Sequence, residues 1–257
     1  MPVHAVARSG FSQVSAAYER GRPAYPPECL QHLRGALGLR HGSRVLELGA
    51  GTGKFTRALA SAVIDPLALE PLPAMRALLR DSQPEVPLLG GVAEAIPLRD
   101  GSLDAVVAAQ AFHWFRPEPT VRELARVLRD GGGVGLLWNI RDETVPWQRE
   151  LSRRLEPYRP AGVPSVKEHA WQEAFRHTPD FDPLSVRSFP SEQSGDVEMF
   201  VDRIRSVSFV AILPSAPREA LLTEMKELAA RAAASEPSGR VVIRYRTEVF
   251  STRRHPR

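Results

Sequence analysis

The stretch Val45-Leu46-Glu47-Leu48-Gly49-Ala50-Gly51-Thr52-Gly53-Lys54 constrains this chain more than any other. Its apolar start reads as a buried strand, and the three alternating glycines let the backbone turn sharply and approach a ligand closely. The surrounding sequence alternates in the same manner. A helix opens after Pro26-Pro27, carries Leu30, Leu33 and Leu37 at helical spacing, and ends at Gly38. Lys54 to Ser61 reads as helix, Asp65 to Glu70 as strand, and a helix bearing Met75, Leu78 and Leu79 follows. Val86 to Gly90 is a third strand, Leu103 to Ala109 a fourth, and Val134 to Asn139 a fifth. Thr120 and Glu123 have capping-box spacing at the start of a helix that Asp130-Gly131-Gly132-Gly133 should stop. Strands alternating with helices imply an α/β fold with a doubly wound, mostly parallel sheet.

After Arg141 the pattern changes. Residues 142–182 hold prolines, arginines and the aromatics Trp147, Tyr158 and Trp171 without a clear strand. Leu184 to Phe189 reads as strand, Val197 to Ser206 and the stretch after Pro217 as helices, and Arg240 to Phe250 as a final strand. The middle segment is either extra helical packing or a cap over the carboxyl edge of the sheet, where open α/β sheets bind ligands. The expected division is 1–142, N-terminal helices and a cofactor-binding Rossmann-like half, and 143–257, a helical cap with the last strands completing the sheet.

At 257 residues the chain is long enough for one α/β domain with an elaborated cap. A single cysteine, Cys29, excludes an intramolecular disulfide scaffold. No apolar run approaches the roughly 20 residues of a membrane span, and the first residues lack a signal-peptide core, so a cytoplasmic protein is expected. The formal net charge is +4, and only three of the 34 basic residues are lysines, Lys54, Lys167 and Lys226. Arginine pairs such as Arg153-Arg154 and Arg253-Arg254 could meet phosphate or carboxylate, or simply be solvated.

Spacing separates three readings of the glycine turn. A phosphate-cradling P-loop needs glycine where Leu48 stands and Ser or Thr where Phe55 stands. A dinucleotide fingerprint needs a third glycine or alanine at a position held by Lys54, or by Thr56 if counted from Gly51. An acidic-x-Gly-x-Gly-x-Gly pattern beginning at Glu47 fits without exception. A carboxylate beside the turn opposes pyrophosphate but suits a cationic ligand. S-adenosylmethionine, with its ammonium, its sulfonium and a phosphate-free adenosine, is such a ligand. Glu70, at the end of the second strand, stands where an acid takes ribose hydroxyls.

With Gly49-Ala50-Gly51-Thr52-Gly53, Gly91-Val92-Ala93-Glu94-Ala95-Ile96-Pro97, Asp100-Gly101-Ser102-Leu103-Asp104 and Arg126-Val127-Leu128-Arg129-Asp130-Gly131-Gly132, the chain resembles class I S-adenosylmethionine-dependent methyltransferases. Tyr18-Glu19-Arg20-Gly21-Arg22-Pro23-Ala24-Tyr25-Pro26, Gln110-Ala111-Phe112-His113-Trp114-Phe115 and Leu137-Trp138-Asn139-Ile140-Arg141-Asp142 are similar to a small-molecule subgroup that includes trans-aconitate-methyltransferase-like proteins. The resemblance covers roughly residues 11–142. It implies a seven-stranded Rossmann-like sheet, S-adenosylmethionine as donor and S-adenosylhomocysteine as product.

The resemblance also implies a site. Glu47, Gly49, Ala50 and Gly51 would line the methionine moiety, and Glu70 the ribose. Ala93 and Glu94 would border the adenine, with Val92 standing where many relatives have an aspartate. Gln110 would lie beside the amino acid head, and Tyr18 and Arg22 would hold its carboxylate.

Methyl transfer is an in-line displacement at an activated carbon, so holding the reactants aligned is the largest available contribution, up to roughly 7–11 kcal/mol. A general base is needed only for a protonated acceptor. His113 is the candidate catalytic residue, or else a hydrogen-bonding anchor in its aromatic cluster. Tyr25, Trp114, Asn139 and Arg141 would line the acceptor pocket, Arg141 either orienting an anion or pairing with Asp142. The Pro-Pro aromatic motif of nucleic-acid amino methyltransferases is missing after the fourth strand, where Gln110-Ala111-Phe112-His113 stands. There is no metal-ligand spacing and no basic RNA platform. The expectation is a methyltransferase acting at oxygen, nitrogen or carbon on a small molecule, with carboxylate-bearing acceptors among the candidates. The rivals are a binder of the same fold without methyl transfer, and a nucleic-acid methyltransferase.

Overall fold

In the computed structural model, which describes residues 20–62, 64–164 and 170–256, the apolar run before the glycines is the strand Arg44–Leu48 (β1). The others are Asp65–Leu69 (β2), Leu88–Leu89 (β3), Leu103–Ala109 (β4), Leu128–Arg141 (β5), Ser185–Gly195 (β6) and Val241–Arg253 (β7). They hydrogen-bond in the order β3-β2-β1-β4-β5-β7-β6. β1 to β5 pair in parallel, and β7 enters antiparallel between β5 and β6. The order reverses between β1 and β4, and ligands of such sheets bind off the carboxyl ends of the strands at that reversal. This is the doubly wound, mostly parallel seven-stranded sheet that the alternating pattern and the resemblance implied.

The helices are Pro27–Leu37 (α1), Lys54–Ser61 (α2), Pro73–Ser82 (α3), Pro117–Val127 (α4), Pro146–Leu155 (α5), Gln172–Arg176 (α6), Val197–Arg205 (α7), Ser208–Ala211 (α8) and Ser215–Ala234 (α9). One sheet face is covered by Cys29, Leu33 and Leu37 of α1 with Phe55 and Leu59 of α2, packed on Val45, Val107 and Leu137. The opposite face carries Val121 and Leu124 of α4 and Phe175 of α6 against Leu46, Val106 and Trp138. A third cluster joins Leu151 of α5, Phe200 and Ile204 of α7, Val210 of α8 and Met225 of α9 to Val241, Ile243 and Tyr245 of β7. Asp196 caps α7 by accepting the Met199 N–H at 2.7 Å.

Three expectations about the fold are corrected. The third strand is only Leu88–Leu89, shorter than Val86 to Gly90. α4 begins at Pro117, so Thr120 is buried inside its first turn and caps nothing. Glu123 instead accepts the Ile96 N–H at 2.8 Å and pairs with Arg126. The glycine run also does not separate helix from strand: α4 ends at Val127, and β5 continues from Leu128 through the glycines.

Packing explains that last result. A Cβ on Gly133 would sit 2.7 Å from Leu37 Cδ2, and one on Gly135 2.6 Å from Leu33 Cδ2. These glycines let α1 lie directly on the sheet. Gly133→Ala is therefore expected to destabilise by about 1–3 kcal/mol through overpacking. Urea unfolding checks this, and an unchanged midpoint would mean that α1 shifts without cost.

Candidate active site

The turn after β1 is built at the reversal point. Gly49 and Gly51 have φ of +65° and +59°, a region costly for residues with a Cβ. The Gly49 and Ala50 N–H groups both donate to Leu69 O, at 2.8 and 3.2 Å, tying the turn to the end of β2. A Cβ on Gly49 would lie 2.9 Å from Ala111 Cβ, whereas one on Gly51 would meet nothing within 4 Å. Gly51 thus presents bare backbone to open space. Lys54 does not point at a phosphate site: its Nζ donates to Arg22 O at 2.5 Å.

Two acids are buried against this turn. Glu47, 1% exposed, accepts the Thr56 hydroxyl at 2.5 Å. Burial pushes its carboxyl up to about 8, the Thr56 hydrogen bond opposes the rise, and the Glu70 charge adds to it. Glu70, 4% exposed, accepts the Gly51 N–H through Oε2 and the Leu72 N–H through Oε1, both at 2.9 Å. Burial raises its pKa, against those two hydrogen bonds and the Arg76 charge. Neither acid makes an ion pair among the described residues. An open glycine turn flanked by two such buried carboxylates fits a ligand with a cationic head and no phosphate.

The end of β4 supplies the next wall. Gln110 has φ +56°, the one positive value outside glycine among the described residues, and such strain tends to mark functional positions. Its N–H donates to Leu137 O at 2.8 Å and its Nε2 to Asn139 O at 3.2 Å. Asn139 was expected on the acceptor wall, but its amide is spent within the framework. Nδ2 donates to Ala24 O at 3.2 Å, and Oδ1 accepts from Thr247 at 2.6 Å.

His113 sits in the short helical turn Phe112–Trp114, where its Nδ1 accepts the Trp138 indole N–H at 3.1 Å. Burial, with the Arg22 and Arg159 charges, drives its pKa down to about 3. The ring is therefore neutral, and with Nδ1 an acceptor its proton resides on Nε2. Trp114 packs with Trp147 and Tyr158 against the cluster under α5, α7 and α9.

Residues 20–25 run across this edge as a strap. Arg20 pairs with Asp202 at 2.8 Å, Gly21 lies directly on the α7 backbone at Arg203, and Arg22 Nη2 donates to Ser206 O at 2.9 Å. The Tyr25 ring meets Phe55 edge-on at 4.8 Å. Tyr18 lies outside the described residues. Ala93 is buried with Leu48 and Leu69, and Glu94 accepts the Arg116 N–H at 3.0 Å.

The loop bearing Ala93 and Glu94 is held by a latch the sequence did not reveal. Arg126 donates to Ile96 O and Leu98 O, both at 2.8 Å, while pairing with Glu123 and Asp100. Thr56, which holds Glu47, and Trp138, which sets the His113 tautomer, were also missed. Each acts from a different element, and no local spacing announces it. Arg141 does not pair with Asp142, whose Oδ1 accepts from the Thr144 backbone and hydroxyl. No cluster of three or more His, Cys, Asp or Glu able to hold a metal occurs among the described residues. Nor is any described helix long and apolar enough to cross a membrane.

This sheet order and a glycine-turn site at its reversal define a Rossmann-like class I methyltransferase fold. Known proteins agree. A family profile described as "Methyltransferase domain" matches residues 46–135. An uncharacterised methyltransferase-like protein of Schizosaccharomyces pombe is 37% identical over 247 residues, covering 96% of each chain. An uncharacterised methyltransferase of Mycobacterium tuberculosis is 50% identical over 141 residues, 55% of this chain and 56% of that one. A structure titled as a candidate type II methyltransferase from Anaeromyxobacter dehalogenans superposes with a TM-score of 0.70 at 23% identity, covering 92% of this chain and 99% of that one. The chain belongs to the S-adenosylmethionine-dependent methyltransferase family.

Proposed function

We propose that the chain methylates a small-molecule acceptor at oxygen, nitrogen or carbon, and that it falls in the subgroup similar to trans-aconitate-methyltransferase-like proteins. The observation that supports the small-molecule reading is the helical cluster beside the carboxyl end of β5, where Arg141 pairs with Tyr245. Helices α5, α7, α8 and α9 join β7 in one apolar cluster, with Trp114, Trp147 and Tyr158 packed against it. An edge flanked in this way suits a compact acceptor better than a nucleic acid. A malonyl-[acyl-carrier protein] O-methyltransferase of Methylococcus capsulatus, 40% identical over 105 residues, is named for an acyl acceptor.

S-adenosylmethionine supplies an electrophilic methyl group when bound. The chain's own residues do the rest. Glu47 receives the cationic amino acid head beside the Gly49, Ala50 and Gly51 backbone. Glu70 takes the ribose hydroxyls with its remaining acceptor capacity, Ala93 and Glu94 border the adenine, and Gln110, Tyr18 and Arg22 complete the amino acid end. Tyr25, Trp114 and Arg141 shape the acceptor side and exclude water.

Of the two parts open to His113, general base or hydrogen-bonding anchor, its neutral ring and Nδ1 acceptor role support the second. Its Nε2 carries the proton, so in this reading it donates a hydrogen bond to the acceptor and orients it. His113→Ala is expected to leave S-adenosylhomocysteine affinity within a few-fold and to lower turnover. In the wild type, turnover should show no inflection near the ordinary histidine value of about 6.5. An inflection there that vanishes in the variant would restore the general base. The reading as a whole is tested by S-adenosylhomocysteine release from a panel of small acids, amines and phenols. Turnover on tRNA or DNA, with none on the panel, would overturn it.

A further inference from the structure

Arginine supplies almost all the positive charge of this chain, and most of it is committed. Arg153 and Arg154 pair with Glu150, Arg244 with Glu192 and Glu236, and Arg254 with Asp130. Arg203 and Arg141 differ. Arg203, on α7, is 8% exposed, and its Nε and Nη1 are buried without a hydrogen-bond partner among the described residues. Arg141, the last residue of β5, has its Nε buried in the same condition, and Nη2 makes only a 3.3 Å contact with Ser152 Oγ. Neither makes an ion pair among the described residues.

The two share one locality. Arg141 is in register with Tyr245, which packs in the same cluster as Ile204, the neighbour of Arg203 on α7. After burial, the Arg203 charge is the strongest influence lowering the Arg141 pKa, to about 10; Tyr245 and Glu143 oppose it, and Arg159 adds to it. Two of these other groups are spoken for, while the Glu143 carboxylate stays within electrostatic reach of Arg141. Arg159 is held by Glu156 and lies over the Phe209 ring, and the Tyr245 hydroxyl donates to Gln193 Oε1 at 3.2 Å.

A buried guanidinium without a counter-charge is costly, and unsatisfied buried donors call for an explanation. The guanidinium fork matches carboxylate and phosphate oxygens in pairs. We propose that Arg141 and Arg203 together anchor an oxyanion, a carboxylate or phosphate ester, carried by the methyl acceptor. The proposal rests on the small-molecule reading above and names its substrate class. The anchored group is not the nucleophile, because oxygens neutralised by two guanidinium groups are poor electron donors. The methylated atom is another part of the same molecule.

The test is calorimetric titration of the protein, alone and saturated with S-adenosylhomocysteine, with malonate, inorganic phosphate and the uncharged malonamide. Malonate or phosphate should bind, malonamide should not, and the preferred anion separates a carboxylate from a phosphate ester. Arg203→Met should weaken that anion by roughly tenfold or more, the effect of a lost charged hydrogen bond. It should also melt higher than the wild type when no anion is present, and keep S-adenosylhomocysteine affinity. Should the methionine variant not fold, Arg203→Lys, which keeps the charge without the fork, is expected to bind the anion more weakly. Silence from both anions overturns the proposal, as does equal anion binding by the variant. A matching loss of S-adenosylhomocysteine affinity would assign Arg203 to the donor's carboxylate and overturn it too. A wild type that ignores S-adenosylhomocysteine would instead sink the donor reading, while titration of the free protein still reports on the arginines.

Discussion

Glu47→Gln is expected to yield a protein that is more stable than the wild type at neutral pH and nearly blind to the donor. The carboxyl is buried within β1, accepts the Thr56 hydroxyl as its one hydrogen bond among the described residues, and is pushed up to about 8. An acid whose folded pKa exceeds its unfolded value binds more protons in the native state. Stability therefore falls as pH rises from the ordinary glutamate value of about 4.3 towards 8. Glutamine removes that slope, and urea unfolding at pH values across the window would show it.

Donor binding should move the opposite way. A cationic head needs the ionised carboxylate, so S-adenosylmethionine affinity in the wild type should increase with pH up to about 8, with proton release on binding. Calorimetry in buffers of different ionisation enthalpy reads that proton directly. Losing a hydrogen bond between charged groups costs about 1.5–3 kcal/mol, so the variant should bind roughly 10- to 100-fold more weakly. Unchanged affinity would remove the amino acid head from this carboxylate.

Glu70→Ala should instead lose stability and affinity together. Glu70 Oε2 and Oε1 satisfy the Gly51 and Leu72 N–H groups at the glycine turn and at the start of α3. Each N–H left unpaired costs about 1–3 kcal/mol. The ribose also loses its charged acceptor, so donor affinity should fall by about 100-fold or more, with two hydrogen bonds at stake. Urea unfolding and S-adenosylhomocysteine calorimetry on the same preparation check both parts. A variant that kept full stability while losing the donor would show that the turn holds its shape without the acid.

The contrast between these two acids bears on what the sequence made legible. Glu47, the alternating glycines and Glu70 are consecutive features of one strand–turn–helix–strand unit, so their placement follows from local pattern and spacing. The same holds for β4, whose limits, Leu103–Ala109, coincide with the apolar run. The glycine run in β5 misled because its glycines answer to α1, nearly a hundred residues earlier, whose Leu33 and Leu37 need the space. Propensity cannot register such a neighbour. The Thr120–Glu123 spacing misled similarly, since Pro117 starts the helix and Glu123 serves the Ile96 loop.

Side-chain partnerships were the least legible layer. Thr56 holding Glu47, Trp138 fixing the His113 tautomer and the isolation of Arg203 all depend on residues brought together by tertiary structure. The charged pairs Arg153-Arg154 and Arg253-Arg254 stood out in the sequence. The structure commits Arg153 and Arg154 to Glu150, and Arg253 and Arg254 to backbone carbonyls, with Asp130 also taking Arg254. A lone arginine within an ordinary amphipathic helix gave no such signal.

The position of β7 has a consequence for how this sheet is made. β5 is flanked on one side by β4 and on the other by residues 241–253. During synthesis the first five strands emerge long before that neighbour, leaving an unpaired ladder of amides along β5. A bare edge of this kind recruits strands from other chains. The nascent chain is therefore expected to expose this edge until β7, which follows β6 only after α7, α8 and α9, pairs onto β5. Chaperone demand should be concentrated in that interval.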